Sequence, residues 1–121
     1  MLIDLPPGTD RLDDLTELVP TLAGAIAVTI PSEESRRSVE RAMRRAAQAG
    51  VPLLGVVENM SGYACARCGA VGPLYEGSAG TMLADTFGVP LLYTLPFLPR
   101  ERANAATILD ALATSCLAVF P

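Results

Sequence analysis

Two thiols three positions apart, Cys65 and Cys68, followed directly by Gly69, carry the most specific chemistry in this chain. A turn of this kind lets both sulfurs face one ion, and the glycine relieves the backbone. Structural zinc takes four ligands and an iron–sulfur cluster takes four thiolates. The chain supplies two here, contains no His, and has one further cysteine, Cys116, at an apolar helical position that reads as core. Ligand arithmetic therefore points to two copies of the chain. Each would give Cys65 and Cys68 to one four-thiolate site on a two-fold axis, the commonest closed arrangement. A redox dithiol and an ordinary buried pair are the competing readings. The dithiol is the weaker, because the motif falls in a loop rather than at a helix N-terminus after a strand.

A second group lies in Met1–Thr9, where an apolar run ends in Asp4 and a Pro6-Pro7-Gly8 turn follows. A carboxylate at the C-terminal end of a strand lies where α/β sheets bind ligands. Asp4 could face Mg²⁺ there, and Gly8 could offer its N–H to a phosphate oxygen. An acid that merely caps a turn fits the hexapeptide equally well. Asn59 follows another apolar run, on what should be the same edge as Asp4. Its carboxamide can read a base edge with one donor and one acceptor, or simply form a turn. The arginines at 36, 37, 41, 44 and 45 alternate with glutamates and read as a solvated helix face rather than a docking patch.

Composition excludes several chemistries. All nine basic residues are Arg, so no phosphate loop of the G-x-x-x-x-G-K-[ST] kind exists in these 121 residues. Schiff-base chemistry is excluded with it. The absence of His removes the commonest general base. The net charge of −4 argues against nonspecific nucleic-acid binding. No apolar run reaches the roughly 18–20 residues of a membrane span, and no basic segment precedes an apolar one at the N-terminus. The expectation is a cytoplasmic protein with no membrane partner.

The elements that must position these groups alternate in type. Met1–Leu5, Ala25–Ile30, Leu53–Glu58 and Leu91–Leu95 are continuous apolar runs of the kind found in parallel strands covered on both faces. Between them the patterns predict helices over Asp13–Leu22, Ser32–Ala49, Ser78–Phe87 and Asn104–Phe120. Ser32 is an N-cap, and Gly50 and Gly88 are stop signals. Val39, Ala42, Met43, Ala46 and Ala47 form the inner face of the second helix. Glu33 with Arg37 and Glu40 with Arg44 form i,i+4 pairs on its outside. The apolar side of the last helix is Ala105, Ile108, Leu109, Leu112 and Cys116. The predicted fold is one α/β domain over residues 1–121, with about four mainly parallel strands, flanking helices and a C-x-x-C loop. Ser61–Gly80 shows little periodicity and is expected to be a functional, metal-binding loop insertion.

Five stretches occur in one order: Asp4–Thr9, Val51–Ser61, Cys65-x-x-Cys68-Gly69, Gly88-Val-Pro and Leu95-Pro-Phe-Leu-Pro-Arg100. Together they resemble the C-terminal half of the Mrp/ApbC-type iron–sulfur carrier ATPases, in the MinD-like branch of P-loop NTPases. The resemblance implies a partial, Rossmann-like P-loop NTPase fold. It implies a homodimer holding a [4Fe–4S] cluster between subunits through Cys65 and Cys68, or Zn²⁺ in the same place, and delivery of the cluster to apo iron–sulfur proteins. It assigns Asp4 to Mg²⁺, Gly8 to the γ-phosphate and Asn59 to adenine. ATP and Mg²⁺ are expected only if a missing N-terminal half, such as a separate P-loop chain, is supplied. Alone, the chain is expected to hydrolyse no ATP. The resemblance departs at Asp10-Arg11, which stand where Gly-Asp is usual, and at Leu98, which replaces the usual acid. It also implies a vacant strand position in the sheet, filled by another chain, by a swapped segment, or by direct pairing of Met1–Leu5 with the next strand. The alternative functions are a zinc-stabilised, non-catalytic dimerisation module and a regulatory subunit of the MinD/ParA type.

Overall fold

A computed structural model describes residues 1–6, 10–19, 21–97 and 105–120. The elements run α1 (Asp10–Leu18), β1 (Ala25–Thr29), α2 (Glu33–Gln48), β2 (Leu53–Ala64), β3 (Val71–Gly72), α3 (Ala79–Phe87), β4 (Leu91–Phe97) and α4 (Ala105–Leu117). β2 is the central strand. It pairs in parallel with β1 through Leu53 to Glu58 and with β4 through Val56 to Asn59, and its far end pairs antiparallel with β3. Tyr63 is flanked by Gly72 of β3 and by Phe97 of β4. β3 therefore continues the side of β2 that β1 occupies lower down. This is the mainly parallel α/β sheet that the alternation of elements implied.

The helices begin and end where side-chain chemistry dictates. Ser32 Oγ accepts from the Ser35 N–H at 3.2 Å and opens α2. Ser78 Oγ accepts from the Thr81 N–H at 3.2 Å and opens α3, which Gly88 ends in the left-handed region at φ 63°. α1 stops at Leu18, two residues before Pro20, because a proline disfavours helical backbone in the residue before it. On α2, Glu33 holds Arg37 at 2.8 Å and Glu40 holds Arg44 at 2.7 Å, as the spacing predicted. Arg36 lies between them, 2.8 Å from each carboxylate. Met43, Val56, Leu83 and Ala84 form the core between sheet, α2 and α3, with Phe87 and Leu91 packed around them. A second cluster of Leu12, Ala46 and Val51 seats α1.

Four expectations are corrected. Met1–Leu5 is not a strand: residues 1–6 join no ladder, and Met1 and Leu2 are almost fully exposed. The direct pairing with the next strand is not formed, since β1 pairs only with β2 among the described residues. A strand without a neighbour gains no ladder hydrogen bonds to offset its ordering entropy. Ser61–Gly80, expected as a loop insertion, is partly strand. β2 runs on through Asn59, Met60 and Gly62 to Ala64 and turns back through β3, with Asn59 and Tyr63 paired to β4 and Tyr63 and Ala64 paired to β3. Finally, Leu109 is 53% exposed and no residue of α4 is buried, so α4 leans on β4 with only part of its apolar side covered. Among the described residues no helix is long and apolar enough to cross a membrane.

Candidate metal centre

The C-x-x-C motif occupies the tip of the hairpin that β2 and β3 form. The Cys65 N–H donates to the Ala70 carbonyl at 2.8 Å, and the Gly69 N–H donates back to the Cys65 carbonyl at 2.9 Å. These two bonds close the turn. Gly69 lies at φ 80°, in the left-handed region where a side chain is strained. Cys65 is half-buried and Cys68 exposed. Among the described residues no group of three or more His, Cys, Asp or Glu side chains could hold a metal ion. The donor set fits a soft or borderline metal such as zinc, or an iron–sulfur cluster, but it is half of a tetrahedral thiolate shell.

The hairpin is braced at its base. Tyr63 stacks on Phe97 with ring centroids 6.2 Å apart and planes inclined by 20°. Both rings remain partly exposed, as do Val71, Leu74 and Tyr75 on the return leg. Cys116 is on α4, where burial pushes its thiol pKa up, consistent with a packing role.

The nucleotide-type residues are less assembled. Asn59 lies in β2, half-buried, and its Oδ1 accepts from the N–H of Met60 at 2.8 Å. Met60 itself has φ 54°, unusual for a residue other than glycine. The side chain thus engages its own backbone at a kink in the strand. Asp4 is exposed in a segment that carries no strand, so the shared sheet edge expected for Asp4 and Asn59 is not formed. Gly8 lies outside the described residues.

One functional-looking residue escaped the reading of motifs. Glu58 is 4% exposed, and its Oε2 accepts from the Gly80 N–H at 2.6 Å and from Ser78 Oγ at 3.4 Å. It caps the start of α3 from within the sheet. The available signal was an acid closing the apolar run Leu53–Val57, since a buried carboxylate is rarely found without such partners.

A mainly parallel sheet with helical crossovers and a hairpin that carries the paired cysteines after the central strand define the chain as an α/β protein. The chain belongs to the ParA family of NUBPL iron-transfer P-loop NTPases, whose sequence profile matches residues 1–115. It is 38% identical over 110 residues to a cytosolic Fe–S cluster assembly factor, the Nubp2 homolog of Anopheles gambiae. That match covers 88% of this chain and 42% of the relative. It is 39% identical over 100 residues to an iron–sulfur cluster carrier protein of Saccharolobus solfataricus, covering 82% of this chain and 34% of the relative. The chain thus spans less than half the length of these relatives. Among solved structures it resembles a nucleotide-binding protein from Archaeoglobus fulgidus, in complex with ADP and with cobalt found in it. The TM-score is 0.53 at 26% identity, over 77% of this chain and 35% of that one.

Proposed function

We propose that this chain is the cluster-holding part of an iron–sulfur carrier. Cys65 and Cys68 bind a [4Fe–4S] cluster as cargo together with the same pair from a second copy, and the cluster passes to cytoplasmic apo-proteins. The observation that carries the reading is the hairpin tip, where two backbone hydrogen bonds and a left-handed glycine hold a half-buried and an exposed cysteine in one tight turn. The pair is half of the four-thiolate set that a cluster takes, so a two-fold partner completes it. Zn²⁺ suits the same four-thiolate shell. Asp4, Gly8 and Asn59 are the nucleotide side of this proposal, for Mg²⁺, γ-phosphate and adenine respectively. They act only beside a lysine-bearing phosphate loop, which this Lys-free chain does not carry.

Anaerobic reconstitution with ferrous iron and sulfide tests the reading. The expected product is a brown dimer with one cluster per two chains, bleached and monomeric in the Cys65→Ser and Cys68→Ser variants but unchanged in Cys116→Ser. It should transfer its cluster to an apo-ferredoxin. A colourless dimer retaining one zinc per two chains would replace the carrier with a zinc-stabilised dimerisation module. A monomer binding neither would refute both.

A further inference from the structure

We propose that Glu58 is a positioning residue, a buried latch that holds the metal-binding hairpin in register with the sheet. β2 stays paired with β4 at Asn59 and Tyr63 before the tip, and the chain returns to the body at Ser78 and Gly80, where Glu58 accepts their hydrogen bonds. Glu58 and Gly80 are 22 positions apart, joined by the 2.6 Å bond from the Gly80 N–H to Oε2. The excursion between them contains Asn59, both cysteines of the tip and β3, and the two-residue ladder of β3 is its only strand pairing on the return leg. Glu58 itself lies in the central strand, opposite Thr29 of β1 and Thr94 of β4. The latch is therefore a carboxylate on the paired central strand that holds the returning end of the excursion. Its geometry leaves little tolerance. A methyl on Gly80 would meet Glu58 Cβ and Leu91 Cδ1 at 2.9 Å and Glu58 Oε2 at 3.1 Å. Residue 80 must therefore be glycine for the carboxylate to reach its N–H.

The functional meaning of the latch rests on the reading of Cys65 and Cys68 as the metal site, but its existence does not, and amide exchange tests it without metal. The two amides to compare are that of Cys65, bonded to the Ala70 carbonyl at the tip, and that of Val56, bonded to the Pro90 carbonyl in the sheet. Releasing one charge-assisted hydrogen bond should open the hairpin about tenfold more often. Glu58→Ala and Gly80→Ala are each expected to speed Cys65 exchange about tenfold, with Val56 unchanged in Glu58→Ala. Glu58→Gln, which keeps an acceptor but loses the charge, should fall between and also serves if the alanine variant does not fold. Cobalt(II) titration should show weaker binding in Glu58→Ala than in Glu58→Gln. Unchanged Cys65 exchange in Glu58→Ala and Gly80→Ala would overturn the latch, as would acceleration of Val56 in Glu58→Ala equal to that of Cys65. If the unmodified chain binds no cobalt, the metal reading fails while the exchange comparison still decides the latch.

Discussion

Gly62 and Gly72 face the same hairpin, yet their replacement by alanine should have opposite consequences. A Cβ at Gly62 would lie 2.6 Å from the carbonyl oxygen of Gly72 and 2.8 Å from Val71 Cγ1. Ordinary contact begins near 3.4 Å, so β2 and β3 must separate by about 0.8 Å, several times the slack of a packed interior. The obstacle is backbone, which cannot rotate away. Overpacking of this kind costs about 1–3 kcal/mol. The ladder registers Tyr63 with Gly72 and Ala64 with Val71 immediately before the tip. Gly62→Ala should therefore splay the two legs and spread the thiols. If metal binding must close them again, cobalt(II) affinity falls by roughly five- to 150-fold. A Cβ at Gly72 meets nothing within 4 Å, and its replacement should leave affinity unchanged while stabilising the fold by about 0.4–1 kcal/mol, through a less flexible unfolded chain. The assay is a cobalt titration followed by the ligand-field absorption of tetrahedral thiolate coordination, with a thermal melt of each variant. Equal affinities for Gly62→Ala and the unmodified chain, or equal damage from both substitutions, would refute the reasoning.

Two other perturbations test the body of the fold. Ser32→Ala removes the oxygen that accepts the Ser35 N–H and should destabilise the protein by about 1 kcal/mol, read as a lower urea midpoint at unchanged slope. Glu33 should make stability depend on acid. Its hydrogen bonds from Arg36 and then Arg37 lower its pKa from 4.5 to about 2. Because the folded value is depressed, its contribution is complete above the unfolded value near 4.5 and is lost as pH falls toward 2. The melting temperature of Glu33→Gln should therefore fall less steeply than that of the unmodified chain across that window. Since Glu33 is 55% exposed, added salt should shrink the difference. Parallel titration curves for the two proteins would contradict the assignment.

Much of the fold was legible because it is encoded locally. Ser32, Ser78 and Gly88 mark helix ends by hydrogen bonds and backbone freedom that act within one turn, and all three stand where the structure uses them. The apolar runs of β1 and β4 were recognisable as strands, but the coverage on both faces that such runs suggest is not formed: Val28 is 58% and Phe97 47% exposed. The same logic failed at Met1–Leu5. Apolar character shows that a segment suits a strand, but pairing requires a neighbour, and none lies beside it among the described residues. It failed in the other direction at Asn59–Ala64, where a stretch kinked at Met60 is kept in the strand by pairing of Asn59 and Tyr63 with β4 and of Tyr63 and Ala64 with β3.

The chemistry divides in the same way. The sequence by itself determined the ligand types, the spacing of Cys65 and Cys68, the lack of lysine for a phosphate loop and the family to which the ordered motifs belong. Such properties depend on residue identity and short-range geometry. Only the tertiary structure decided that the cysteines stand at the tip of a strand-borne hairpin rather than in a loose loop. It alone paired Glu58 with Gly80 across 22 positions, and it alone separated Gly62, pressed against a backbone carbonyl, from Gly72, which faces open space. Each is a contact between segments distant in the chain. Its energy depends on where packing brings them, and no local pattern records that.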